Sequence, residues 1–232
     1  MRVSVFWFVS CLALASVSAL TAQVDTELVI DDFKESPYRK VLWNHPALLT
    51  EYQTGPNIVG GVRQTNFTAS QAPPYVGQST LLQIHPNGPL VINGDYKSYF
   101  GLYLGYGFDT AGGANRLDLD LSGDGNKCLK CDRFRISLDG CESELSYAMQ
   151  VYDRNGNIAT MFGTESTTGR ILPFPLDFPF GDFVPNSDEP IDWHHIDFIF
   201  VLFQTGNSLG GHDFLVTRIS AIPDPTPQGA VD

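Results

Sequence analysis

A chain of 232 residues with 26 acidic and 14 basic side chains carries a formal net charge of −12. Its 43% hydrophobic content supports a folded core, which excludes global disorder; the length, 22 glycines and 15 prolines point to one all-β domain of the larger kind. The acidic surplus excludes a nucleic-acid partner, whose phosphates it would repel.

In chain order, Met1 and Arg2 precede an apolar run from Val3 to Ala15, followed by small residues at Val17-Ser18-Ala19 and Leu20-Thr21-Ala22. This is the pattern of a secretory signal peptide over residues 1–22, cleaved after Ala19 or Ala22. The apolar run is shorter than the roughly 20 residues a spanning helix needs. A secreted, extracellular protein with no membrane span in the mature chain is therefore expected. Loss of Arg2 moves its charge to −13.

Residues 23–222 read as a two-sheet β-sandwich or jelly roll of about ten strands, because period-two alternation recurs between turn signals. Leu28 to Phe33 opens it, and Ile58 to Phe67 follows with Gly60-Gly61 inside. Thr80 to His85 and Pro89 to Ile92 flank an Asn87-Gly88 turn, and Asn155-Gly156 supplies another hairpin turn. Asn115 to Leu121, Arg133 to Leu138 and Leu145 to Tyr152 alternate apolar with polar. Ile191 to Phe203 and Phe214 to Ile222 close the domain, and Pro46 to Glu51 reads as one short helix. Ile196 to Phe203 is apolar on both faces and so needs cover on both. The Pro-rich segment Leu172 to Phe180 is expected to supply one cover, wrapped outside the sheet with its phenylalanines turned inward. Residues 223–232 read as a flexible Pro-rich tail.

Secretion gives meaning to the sequon Asn66-Phe67-Thr68, a glycan acceptor at Asn66. Cys11 leaves with the leader, so Cys128, Cys131 and Cys141 remain, an odd number. Cys131 and Cys141 sit at opposite ends of a strand about 20 Å long, too far apart for a disulfide, which wants Cα atoms within about 7 Å. A local Cys128–Cys131 bridge is the expected pairing.

Ile30-Asp31-Asp32-Phe33, Gly60-Gly61-Val62-Arg63, Leu117-Asp118-Leu119, Phe134-Arg135-Ile136 and Asp213-Phe214-Leu215-Val216 together resemble a recurrent secreted domain. It is similar to galactose-binding-like jelly rolls of the kind found in PEP-CTERM-type exported proteins and to carbohydrate-binding modules, although a C-terminal anchor is missing here. The resemblance implies export, a jelly roll and a structural calcium ion between first and last strands, for which Asp31 or Asp32 with Asp213 would offer hard oxygen ligands. Without an ion, these carboxylates are ordinary solvated or hydrogen-bonded groups. Arg63 reads as the partner of an ion pair with Asp31 or Asp32.

For ligand binding the informative strand is Tyr99 to Phe108. Phe100, Leu102, Leu104, Tyr106 and Phe108 share one face and should be core. Tyr99 and Tyr103, spaced by glycines, share the other. Their rings either stack on the apolar faces of sugars or pack against a backbone that the glycines admit. Trp193 beside His194 and His195 is a second candidate rim, or core packing. No hydrolase elbow, zinc-helix motif or P-loop is present. The primary expectation is a non-enzymatic glycan-binding module built on Tyr99, Tyr103 and Trp193. The alternatives are an acidic extracellular-matrix or biomineral-associated protein using Asp118, Asp120 and Asp124, and a glycan-active hydrolase drawing on Glu142, Glu144, Asp177 or Asp182.

Overall fold

A computed structural model describes residues 27–43, 47–71, 79–95, 98–123, 130–141, 144–165, 173–205 and 212–224. The expected leader at 1–22 and nearly all of the tail at 223–232 lie outside the described residues. Among the described residues fourteen strands follow in order: β1 (Leu28–Asp31), β2 (Tyr38–Trp43), β3 (Ala47–Thr54), β4 (Val62–Gln71), β5 (Ser79–Ile84), β6 (Leu90–Gly94) and β7 (Ser98–Tyr106). Then come β8 (Cys131–Cys141), β9 (Leu145–Asp153), β10 (Ile158–Glu165), β11 (Phe174–Pro179), β12 (Val184–Pro185), β13 (Ile196–Thr205) and β14 (His212–Pro223). They form two antiparallel seven-stranded sheets packed as a sandwich. One runs β11-β8-β14-β6-β5-β2, with β1 also paired to β14; the other runs β12-β10-β9-β13-β7-β4-β3. Among the described residues no helix is long and apolar enough to cross a membrane.

Alternation explains the layers. In β8, Phe134, Ile136 and Leu138 point into the core, and in β13, Ile199, Val201 and Phe203 meet them from the other sheet. The Asn87-Gly88 turn joins β5 to β6 as read, with φ of 72° and 75°.

Four expectations change. The segment expected as a short helix, Pro46 to Glu51, supplies most of β3. Eight paired positions with β4, from Ala47↔Ala69 to Thr54↔Val62, outweigh a helical preference that six residues cannot sustain alone. Asn115 to Leu121, expected as a strand, is irregular: Asp118 takes φ 50°, and Leu119 makes only an isolated bridge to Ile196. The strand read from Ile58 begins instead at Val62, because Gly60 and Gly61 take φ of 70° and 78° in a tight turn. Finally, Phe174–Pro179 does not wrap outside β13. It is the edge strand β11, paired with β8, with Phe174, Leu176 and Phe178 in the core. An edge tolerates proline because the missing N–H would face solvent.

The two sheets are tied through a buried polar cluster. Asp31, 1% exposed, accepts from Arg63 Nη1 at 2.7 Å, from the Tyr106 hydroxyl at 3.1 Å and from the Phe33 N–H at 2.9 Å. Arg63, 0% exposed, also donates through Nε to Gln53 Oε1 at 3.2 Å and lies 5.4 Å from the Phe33 ring centre. Burial pushes the Asp31 carboxyl up, against the opposing pull of Arg63. This is the ion pair expected for Arg63, and it joins β1 of one sheet to β3, β4 and β7 of the other. At the border of the sandwich, edge strands β2 and β3 are bridged by Lys40 and Glu51 at 2.7 Å.

Candidate functional site

The strand that is apolar on both faces locates the site. Outward from the core, β13 presents Phe198, Phe200, Leu202 and Gln204. Its neighbours present Gly101, Tyr103 and Gly105 from β7, and Ser146, Ala148, Gln150 and Tyr152 from β9. The turn after β7 reaches one end of this face, where Gly112 stands against the Tyr52 hydroxyl, and the rest of the cover comes from rings packed on one another. Tyr103 stacks on Phe200 with centroids 5.2 Å apart, and Tyr152 meets the same ring edge-on at 5.3 Å. Phe108 approaches Phe200 at 5.8 Å and Phe198 at 5.4 Å. Phe200 is thereby reduced to 9% exposure, while the other rings stay partly open.

A Cβ on Gly105 would stand 3.1 Å from both the Phe200 and Phe108 rings, so the residue makes room for side chains, not for a passing backbone. Gly107, at φ 107°, turns the chain so that Phe108, expected in the core, lands on the outward face against Phe198. Tyr99 and Tyr103 share that face by alternation. Burial, with the neighbouring Tyr152 adding to it, pushes the Tyr103 hydroxyl up to about 12. It therefore stays protonated, a hydrogen-bond donor, across the physiological range.

Register carries the surface onward. Tyr103 lies opposite Leu202, Leu202 opposite Ala148 and Ala148 opposite Phe162 of β10. Phe162 is 75% exposed at the far side of an open depression of about 400 Å³, lined also by Ser146, Thr164, Leu202 and Gln204. Polar groups interleave with the apolar ones. Gln64 donates to the Tyr52 hydroxyl at 2.8 Å, and Gln150 donates to Thr160 at 3.0 Å. No Asp or Glu occupies an outward position of the described strands on this face.

The other expected residues are placed elsewhere. Trp193 lies flat on Phe180 at 4.0 Å and edge-on to Phe183 at 5.5 Å, packed against the core and away from Tyr99 and Tyr103. Asp31 is engaged by Arg63, Asp32 pairs with Lys34 at 3.2 Å, and Asp213 is at the far end of β14. The partner of Asp31 on β14 is Ile219, six residues from Asp213, about 20 Å along a strand, so the three carboxylates do not converge. Among the described residues no group of three His, Cys, Asp or Glu could hold a metal ion. Asp118 is held by Arg154 and, at 2.8 Å, by His195; those contacts keep its carboxyl below the usual range. Asp120 accepts from the Ser122 hydroxyl at 2.7 Å. His194 and His195, expected inside the strand read from Ile191, lie instead in the turn before β13, which starts at Ile196, and both reach this 118–122 segment. Asp177 is held by Arg135 in a two-pronged pair at 2.7 and 2.8 Å, Glu144 and Asp182 are exposed, and Asp124 and Glu142 lie outside the described residues. Cys131 and Cys141 are buried at the two ends of β8, as read, while Cys128 is not among the described residues.

Phe200, Tyr152, Phe108 and Phe162 were not foreseen on this face. The available signal was the double apolarity of Ile196 to Phe203, which called for cover on both faces but named no neighbours.

No family model matches the chain, and no curated protein matches it. Solved structures do. A family 11 carbohydrate-binding module of a cellulosomal cellulase of Clostridium thermocellum is 15% identical, with a TM-score of 0.40, over 88% of this chain and 98% of that one. A family 30 carbohydrate-binding module from a cellulosomal cellulase of the same organism is 13% identical, with a TM-score of 0.37, over 86% and 99%. TmCBM61, solved in complex with β-1,4-galactotriose, is 12% identical, with a TM-score of 0.32, over 68% and 82%.

Proposed function

We propose that this is a secreted glycan-binding module whose ligand lies on the outward face of the β12–β3 sheet, against Tyr103, Leu202 and Phe162. The observation that supports it is an aromatic surface on which Tyr103 stacks on Phe200 and Phe162 stands 75% exposed at the far side. A soluble protein leaves a large apolar patch uncovered where something binds. Sugar rings suit such a patch, because their C–H faces stack on aromatic rings while their hydroxyls reach amide and hydroxyl groups at the rim. Gln150, Gln204 and the Tyr103 hydroxyl are those groups here. The lack of a carboxylate at the outward strand positions favours holding a glycan over hydrolysing it, since hydrolysis ordinarily needs two.

A glycan-array screen of the unglycosylated protein, with and without calcium, tests this reading. Retention of a subset of glycans, lost in Tyr103→Ala, is expected. Absence of retention on every glycan, or Tyr103→Ala behaving as wild type, would overturn it.

A further inference from the structure

The sequon lies on the same face. Asn66 is in the middle of β4, directly opposite Tyr103 of β7 on one side and Thr50 of β3 on the other. Phe67 turns into the core at 0% exposure, so Asn66 and Thr68 both project outward. Thr68 donates to the Gly101 carbonyl at 3.2 Å. Asn66 Oδ1 is buried without a hydrogen-bond partner, an acceptor that the bare fold leaves unsatisfied beside the tyrosine platform. Residues directly opposite one another in an antiparallel pair have Cβ atoms about 5 Å apart, roughly the breadth of one sugar ring.

We infer that Asn66 is a modification site whose attached glycan lies over Tyr103, so that the glycosylated chain occupies its own binding face while the unmodified chain keeps it open. This rests on the glycan-binding reading of that face. The donor is an oligosaccharide activated as a lipid diphosphate. A bond forms between Asn66 Nδ2 and the anomeric carbon, the bond from that carbon to the diphosphate breaks, and the amide proton goes to the departing diphosphate. β4 is an internal strand, paired on both sides, so the amide is presented to a transferase only before β3, β4 and β7 assemble. Occupancy is therefore fixed during export, and the two forms are separate populations.

The test is expression in a glycosylating secretory host, comparing wild type with Thr68→Val, which removes the sequon but keeps Asn66, and with Asn66→Gln. Intact mass should show wild type occupied at Asn66. On the glycan array, wild type should bind about tenfold more weakly than either variant, the effect of a tethered competitor at millimolar effective concentration. The glycan should also raise the melting temperature, and that increment should vanish in Tyr103→Ala, because the ring it rests on is gone. An unoccupied Asn66, or equal array binding by occupied and unoccupied forms, overturns the inference. If neither variant binds any glycan while the Tyr103-dependent melting increment persists, the reading of the face as a binding site fails and the contact between Asn66 glycan and Tyr103 stands. If that increment is also absent, both fail.

Discussion

The sandwich has two outward faces built by the same alternation from the same chain, and they are finished in opposite ways. On the β11–β2 sheet, β8 turns Arg133 and Arg135 outward, β11 answers with Asp177, and Arg218 of β14 is held by Glu27, which also accepts from Ser220. Lys34 and Asp32 complete a hollow of about 430 Å³ in which the cations have anions beside them. On the β12–β3 sheet the outward positions of the described strands are rings, aliphatic and small residues, hydroxyls and amides, with no charge at these positions. Paired charges are satisfied in water and need no ligand, whereas a lattice of rings stacked on one another still shows solvent an apolar surface. The difference separates a face that satisfies its own charges from one that still shows water an apolar surface.

The strongest way to break the comparison is to separate the faces from each other. Asp31→Ala strands the Arg63 guanidinium in the core and should cost about 3–5 kcal/mol, since removing one partner leaves a buried charge uncompensated. It should appear as a lower denaturation midpoint, with both faces lost in one transition; a cost below about 1 kcal/mol would show that Tyr106 and Gln53 suffice without the pair. Next comes Phe200→Ala, which deletes the ring under Tyr103. Truncation of a phenylalanine buried to this degree costs about 3 kcal/mol, and array retention should fall with it because Tyr103 loses its support.

A third test concerns the hairpin that flanks the aromatic face. Asp153, 2% exposed, ends β9 and accepts backbone N–H bonds from Asn155 and Asn157 at 2.9 Å and from Asp192 at 3.1 Å. Burial alone would raise its carboxyl, but these donors prevail and hold it below the ordinary value. A carboxyl with a depressed folded-state value stabilises the fold above its unfolded value, about 3.9, and that contribution disappears as pH falls through the folded one. Asp153→Ala should cost about 1–3 kcal/mol at neutral pH. The gap to wild type in melting temperature should close as pH drops below about 4. A gap that persists in acid would mean that shape, not charge, is what Asp153 contributes. The smallest effect belongs to the satisfied face. Asp177→Asn should change stability by less than about 1 kcal/mol, the usual worth of a partly exposed ion pair, and leave array retention unaltered.

Legibility followed the range of the interactions. Strands whose partners matter little to their identity, such as β8, β9, β13 and β14, were readable because Phe134-x-Ile136-x-Leu138 declares a face on its own. β3 was not, because Ala-Leu-Leu-Thr-Glu is acceptable to a helix and only its pairing with β4 decides. The segment around Asp118 alternated like a strand, yet its backbone is captured by Ile196 and Asp197, nearly eighty residues later. The candidate site was half legible. Tyr103 could be named from its glycine spacing, but Phe200 reaches it only through the β7–β13 register, which no local pattern encodes. Trp193 stood open between rim and core packing, and its contacts with Phe180 and Phe183, ten to thirteen residues before it, decide for packing.

The bridge between Lys40 and Glu51 bears on how copies of this molecule behave together. β2 and β3 are edge strands of different sheets on one flank, and a bare edge there would invite a second copy to pair along it. A charge on each edge, locked to the other, means that an incoming strand must desolvate an ion pair before its first backbone hydrogen bond forms. On the opposite flank β11 carries Pro175 and Pro179, and β12 reduces the exposed length of β10 to what two residues leave. Both flanks thus carry features that discourage strand addition between copies, so crowding of the domain does not by itself lead to stacking into fibres.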